Sequence, residues 1–436
     1  MKTILYEKLF TFSILFVLLI VTILTTRSLT AQPLASGQSK FLGAGSSHFL
    51  WRYFDQYWNQ ITPGNEGKWG VVSPSKDTYN WGNLDKIYNY ARNRNLQFKQ
   101  HTFVWGQQAP GWVASLDSAS QRASVEHWIK SFGERYPLTV MADVVNEPFH
   151  AVPSYAKGLG GNGKTGWDWV ITSFELARKY MPQGCKLILN EYNVLHSNTV
   201  TNNYINIINL LKDRNLIDGI GIQGHYFEFR SHIDASSNIY VWNVNTIKSN
   251  LDKLAATGIP IYITEFDIDE KDDANQLASY KLYFPIFWSH PAVKGITLWG
   301  YISSDVWSAH PTTFLIVDDG SNGIERPALK WLRDYINNPT NVKEAVNIPA
   351  RFKLEQNYPN PFNPTTRIKY SVSKSAHVSL KVYNLLGQEV STLFEGNRQP
   401  GNYNATFDGS GLASGVYLYK MQSVEFSEAK KLMIIK

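Results

Sequence analysis

The feature that most constrains this 436-residue chain is a rhythm repeated through its first three hundred residues. Eight short apolar stretches recur: Phe41 to Ser47, Gln60 to Lys68, Gln97 to Trp105, Thr139 to Glu147, Lys186 to Asn193, Gly219 to His225, Pro260 to Asp267 and Gly295 to Ile302. Between them, Asn83 to Arg94, Ala123 to Arg135, Trp167 to Tyr180, Val200 to Arg214, Val244 to Thr257 and Ala274 to Trp288 carry apolar residues at helical spacing. Strand alternating with helix at this rhythm points to a parallel sheet, and eight units suit a closed (β/α)8 barrel, an α/β fold. A second, smaller domain follows a Pro- and Asn-rich stretch: five segments of strand length separated by turn signals predict a C-terminal all-β sandwich.

The polar residues are placed directionally. Asn65 and Lys68, His101 and Trp105, Asn146 and Glu147, Asn190 and Tyr192, Gln223 and His225, Glu265, and Trp299 all fall at the C-terminal ends of predicted strands. In a (β/α)8 barrel that rim carries the active site. Two carboxylates close apolar strands, Glu147 after Ala142-Asp143-Val144-Val145-Asn146 and Glu265 after Ile261-Tyr262-Ile263-Thr264. On strands four and seven they face one another across the mouth, within reach of the roughly 5 to 5.5 Å separation of a retaining glycosidase. One would attack the anomeric carbon while the other protonates the leaving oxygen, which requires environments that keep one ionised and the other protonated.

These motifs resemble glycoside hydrolase family ten, whose best-known members are endo-β-1,4-xylanases. The match rests on Asp143 to Glu147, Ile263 to Asp267, and His101-Thr102-Phe103-Val104-Trp105 followed by Gln108, Pro110 and Trp112. Asn190 to Asn193, Gly221-Ile222-Gln223-Gly224-His225, and Trp299-Gly300 with Trp307 add to it, over roughly Phe41 to Ile336. The resemblance implies Glu147 as acid/base and Glu265 as nucleophile. It implies Asn146 on the sugar 2-hydroxyl, His225 hydrogen-bonded to Glu265, and Gln223 beside the acid/base. His101, Asn65 and Lys68 would bind the non-reducing side; Trp105, Trp299 and Trp307 would shape the floor and walls, with Gln108 and Tyr192 among the substrate-binding residues. No cofactor or metal is implied.

Four positions depart from the family pattern: Gly64 where Glu is common, Gly106 where His is usual, and Glu191 and Ser303 where Asp is usual. The two glycines remove side chains from the non-reducing cleft, which weakens binding there or makes room for a decorated chain. A related β-1,4-glucanase or mixed-activity glycanase, and a non-catalytic polysaccharide-binding barrel, stay open as alternatives. Two histidines and a carboxylate (His101, His225, Glu265) also form a common metal-ligand set, but no HExxH-type spacing accompanies them.

Charge argues against a nucleic-acid surface. The net +6 sits in the ends: Gln32 to Ala345 carries 28 Lys/Arg against 29 Asp/Glu, whereas Val346 to Lys436 carries eleven against six. Residues 1–31 read as a signal peptide, with Lys2 and Lys8 before an apolar run from Phe10 to Leu24 and a break near Ala31. That run is about 15 residues, where a membrane span needs about 20. The barrel is expected over 38–337, a linker over 338–350 and the sandwich over 351–436. The single cysteine, Cys185, reads as a buried thiol.

In the tail, Gln356-Asn357-Tyr358-Pro359-Asn360-Pro361-Phe362, Tyr383-Asn384-Leu385-Leu386-Gly387-Gln388-Glu389-Val390 and Leu412-Ala413-Ser414-Gly415-Val416-Tyr417, with Lys430-Lys431 near the end, resemble the type A sorting domain of the type IX secretion system. That implies outer-membrane secretion machinery as a partner, beside a polysaccharide substrate. A carbohydrate-binding sandwich would instead want a row of exposed aromatics, and Tyr383, Tyr417 and Tyr419 are expected in the core.

Overall fold

The computed structural model describes residues 32–229, 231–232, 240–241, 244–337, 351–374, 376–398 and 400–436. The expected signal peptide and linker lie outside the described residues. Eight parallel strands close a barrel: β1 (Phe41–Ser46), β2 (Gln60–Pro63), β3 (Gln97–Val104), β4 (Met141–Asn146), β5 (Lys186–Glu191), β6 (Gly219–Ile222), β7 (Ile261–Phe266) and β8 (Val293–Leu298). Closure is by β1 against β8, with Phe41 in register with Gly295.

The strands are buried on both faces, which is why β4 (MADVVN) and β7 (IYITEF) read as near-continuous apolar runs. Phe41, Met141, Ile188 and Tyr262 form a plug inside the barrel, Phe41 and Tyr262 stacking at 6.1 Å. Burying side chains of this size contributes about 1.5–3 kcal/mol each. Above the plug the interior turns polar: Gln60 Nε2 donates to Thr62 and Thr297 Oγ1 donates to Gln60 Oε1.

Helices α1 (Gly82–Asn93), α2 (Ser118–Arg135), α3 (Asp168–Tyr180), α4 (Asn198–Lys212), α5 (Val244–Ala255), α6 (Asp273–Trp288) and α7 (Pro327–Asn337) surround the barrel. Asp117 and Asp272 start α2 and α6 by accepting the N–H of Ser120 and Asn275, caps worth ~1 kcal/mol each. Between β1 and β2 there is only a 3-10 turn, Phe54–Gln56. The second strand is shorter than its sequence suggested. Pro63 supplies no N–H to continue the ladder, so Asn65 and Lys68 stand in the turn beyond it.

The tail packs β9 (Lys353–Leu354), β10 (Thr365–Val372) and β13 (Gly401–Asp408) as one antiparallel sheet. A second holds β11 (Ala376–Tyr383), β12 (Glu389–Arg398), β14 (Gly415–Gln422) and β15 (Ser427–Ile434), in the order β12-β11-β14-β15. Inward residues alternate along β11 as Ala376, Val378, Leu380 and Val382. The tyrosines divide differently from expectation. Tyr419 is fully buried, and its O–H donates to Glu355 O; Tyr417 packs at the edge of the core and Tyr383 falls on the outward face of β11.

Candidate active site

The C-terminal ends of the barrel strands open into a cleft of about 680 Å³. The two expected catalytic residues and all the expected substrate-binding residues line it: Asn65, Lys68, His101, Trp105, Gln108, Asn146, Glu147, Tyr192, Gln223, His225, Glu265, Trp299 and Trp307; Asn190 lies buried beneath. Gly45, Ser46, Ser47, Gln107, Phe227 and Asp305 also line it and were not singled out from sequence.

Glu265 is the penultimate residue of β7, and burial alone would raise its pKa. The electrostatic pull of His101, His225 and Lys99 overcomes that and holds the carboxyl at about 2. Its Oε1 accepts from Asn190 Nδ2 at 2.9 Å, and its Oε2 lies 3.5 Å from His225 Nε2, a longer approach than the expected hydrogen bond. His225 itself is fixed by Asp267, with Nδ1 2.6 Å from Oδ2; burial would lower its pKa, but Asp267 and Glu265 raise it well above the ordinary value. Asp143 serves His101 in the same way, at 2.9 Å from Nδ1, while accepting Lys99 Nζ at 2.7 Å. Each imidazole is thus oriented by a carboxylate on a barrel strand or just past its end.

Glu147 sits one residue past β4 with φ +55°, a left-handed backbone that costs a non-glycine residue about 1 kcal/mol or more. The strain is held by Glu147 N–H donating to Asn190 O and by a turn in which His150 and Ala151 N–H return to Glu147 O. Its carboxylate faces neutral donors: Trp105 Nε1 at 3.0 Å, Gln223 Nε2 at 3.0 Å and Asn146 Nδ2 at 3.2 Å. Asn190 Nδ2 also reaches Asn146 Oδ1 at 2.8 Å, so one amide network runs between the two glutamates. Gly221 makes this possible, since a Cβ there would lie 2.5 Å from Asn190 Oδ1.

At the other end of the cleft, Lys68 donates to Asn65 Oδ1 and lies over the Trp105 ring. Burial lowers its pKa against the opposing pull of Glu265, Glu147 and Glu66. Gln108 also donates to Asn65 Oδ1, at 3.2 Å. Trp299 meets His101 edge-on, and Trp307 is about half exposed beside His225 and His310. Arg326 stitches the loops behind them: its guanidinium donates to Asp273 and to the carbonyls of Glu270, Lys271, Thr312 and Phe314.

The two glycine departures separate. Gly64 leaves open space, the nearest atom to an added Cβ being Ser46 O at 3.8 Å. At Gly106 a Cβ would lie 2.3 Å from Ala151 O, so this glycine serves a close backbone approach and makes no room for substrate. Ser303 accepts the N–H of Asp318 beside the cleft; the carboxylate in this loop is Asp305, which accepts Ser47 N–H at 2.8 Å. Among the described residues, no cluster of three His, Cys, Asp or Glu is arranged to hold a metal ion.

Two family models match this chain, and together they account for most of it. Glycosyl hydrolase family 10 covers residues 36–335, the barrel with its whole cleft. The chain belongs to glycosyl hydrolase family 10. A secretion system C-terminal sorting domain covers residues 356–436. Among relatives of this family 10 chain, endo-1,4-beta-xylanase B of Cellvibrio japonicus is 40% identical over 289 residues, covering 65% of this chain and 44% of the relative. The endo-1,4-beta-xylanase of Agaricus bisporus is 30% identical over 260 residues, 57% of this chain and 74% of that one. This chain therefore spans less than half the length of the Cellvibrio relative. In fold, it is similar to xylanase 10B from Thermotoga petrophila solved with xylobiose (TM-score 0.59, 22% identity, 72% of this chain and 99% of the other). It is also similar to the family 10 structure from Paenibacillus barcinonensis (TM-score 0.59, 21% identity, 72% and 99%).

Proposed function

We propose that this family 10 chain is a secreted, retaining endo-1,4-β-xylanase. The observation that carries the reading is the unequal treatment of two buried carboxylates in one cleft. Glu265 is held ionised by imidazoles and an amide, whereas the groups that hydrogen-bond Glu147 are the neutral donors Trp105, Gln223 and Asn146. In the first step Glu265 attacks the anomeric carbon while Glu147 gives its proton to the leaving oxygen. In the second, Glu147 takes a proton from water as the water displaces Glu265. Asn146 would hold the sugar 2-hydroxyl, with His101, Asn65, Lys68 and Gln108 toward the non-reducing end. Trp105, Trp299 and Trp307 would give faces for pyranose rings. The chemistry needs two carboxylates and water, and no cofactor. The names of the relatives support xylan as the polymer.

The tail supports export: residues 1–31 would direct the chain across the inner membrane, and the sorting domain would engage type IX machinery at the outer membrane. Its removal or surface attachment would leave the barrel, placed at 38–337, as the working enzyme. The test is product analysis by mass and NMR on β-1,4-xylan and a β-1,4-glucan, with the wild type and Glu265→Ala. Xylo-oligosaccharides of retained β configuration, absent with the variant, are expected. Cleavage of glucan alone would replace the substrate, and cleavage of neither polymer would leave a binding barrel.

A further inference from the structure

We infer that Glu191 and His150 together build the platform on which the leaving-group half of the substrate rests, a role that presupposes the hydrolase reading above. Glu191 ends β5 completely buried. Its Oε1 accepts Tyr192 N–H at 2.8 Å and faces His150 Nδ1 at 2.9 Å; its Oε2 accepts Phe149 N–H at 2.9 Å. One carboxylate thereby fastens two loops of the cleft rim: the loop after β4, which carries Glu147, and the loop after β5, which carries Tyr192.

The product of that fastening is a ring stack. His150 lies against Tyr192 with centroids 4.0 Å apart and planes at 25°, and Phe227 meets the same tyrosine edge-on at 5.9 Å. Tyr192 and Phe227 line the cleft, whereas His150 does not. The imidazole is therefore a backing plate, and the phenol ring is the face offered to a sugar. Asn65 and Lys68 follow β2 and Tyr192 follows β5, three strands further round the mouth, so with the first two assigned to the non-reducing end the tyrosine falls to the leaving side.

The charges agree with the geometry. The hydrogen bond to the Glu191 carboxylate raises the pKa of His150, opposed by desolvation, and the further acids facing it are Glu147 and Glu228. Two flat rings stacked at this distance attract one another beyond their area of contact, so the imidazole holds the phenol in place. The extra methylene of Glu191 relative to aspartate lets the carboxylate reach both loop amides and the imidazole. His150 and Glu191 act through Tyr192 and are positioning residues.

The test compares a xylo-oligosaccharide, which needs a leaving sugar, with β-xylobiosyl fluoride, whose leaving group is a single atom. His150→Ala and Glu191→Asp are each expected to lower kcat/KM on the oligosaccharide by about two- to tenfold, mainly through KM, with a clearly smaller loss on the fluoride. The double variant should lose no more than the worse single one, and His150→Phe, which restores a flat ring, should recover most of the rate. Equal losses on both substrates, additive losses, or no loss on the oligosaccharide would overturn the platform. Wild-type protein that cleaves neither substrate would overturn the hydrolase reading and this inference with it.

Discussion

Asn190 offers the sharpest test of how the site works, because its one amide ties both carboxylate neighbourhoods together. Asn190→Ala removes the 2.9 Å donor to Glu265 Oε1 and the 2.8 Å donor to Asn146, and leaves Thr264 Oγ1 without its acceptor at 2.6 Å. The next group toward Glu265 Oε1 is His101 Nδ1, at 4.0 Å, too far to replace it. A hydrogen bond to a buried charged group is worth ~1.5–3 kcal/mol. If that energy positions the nucleophile, kcat/KM should fall roughly 10- to 150-fold, since each 1.36 kcal/mol is a factor of about ten. The assay is steady-state kinetics on a soluble xylo-oligosaccharide beside urea unfolding of the same preparation. A kcat/KM within about threefold of wild type, in a variant whose unfolding midpoint has dropped, would show that the amide only braces the barrel. Asn190→Asp sharpens the test. A second carboxylate beside Glu265 raises its pKa from about 2, so the acid limb of kcat/KM moves to higher pH. The sign follows from a depressed native pKa: the ionised form and its stabilisation are present above the ordinary carboxylate range and are lost as pH falls toward 2.

Further predictions concern neighbouring elements. His225→Asn removes one of the groups that hold Glu265 low, so the acid limb should again rise, which a pH–rate profile reads; an unchanged limb would refute the assignment. Gly106→Ala drives a Cβ against Ala151 O and should cost ~1–3 kcal/mol in thermal unfolding, whereas Gly64→Glu enters open space, should cost under about 0.5 kcal/mol, and should lower KM for oligosaccharides reaching the non-reducing end. Equal stability losses at the two glycines would contradict the packing. Arg326→Met removes a donor from four backbone carbonyls, of which Thr312 and Phe314 keep Gln276, and the partner of the exposed Asp273; it should destabilise by ~1–3 kcal/mol in urea, with Arg326→Lys recovering only part because its ammonium cannot copy the fork.

Most of the barrel was legible because its strands are apolar on both faces and its helices on one, two periods that do not mimic each other. What failed had no such signal. Strand β12, EVSTLFEGNR, contains no fully buried residue, so an edge strand of mixed polarity passed as loop. The two glutamates were legible as charges ending buried strands. Phe227 was not, because Tyr226-Phe227-Glu228-Phe229 is a 3-10 turn whose other aromatics face the core, and composition cannot say which ring turns to the cleft. The supports Asp143 and Asp267 lie within four residues of the glutamates. Their partnership with His101 and His225 comes from strands brought together only by closure.

That closure sets the timing of folding. Because Phe41 pairs with Gly295, one edge of the first strand, the edge not taken by β2, stays unmatched until the last strand has been delivered. A chain threaded through a membrane from its N-terminus would carry an open sheet with two unpaired edges for nearly the whole passage, the state most prone to joining other chains. Termination before Val293 should therefore yield an insoluble fragment lacking any partial activity, and any factor that shields nascent chains in transit has its longest task at β1.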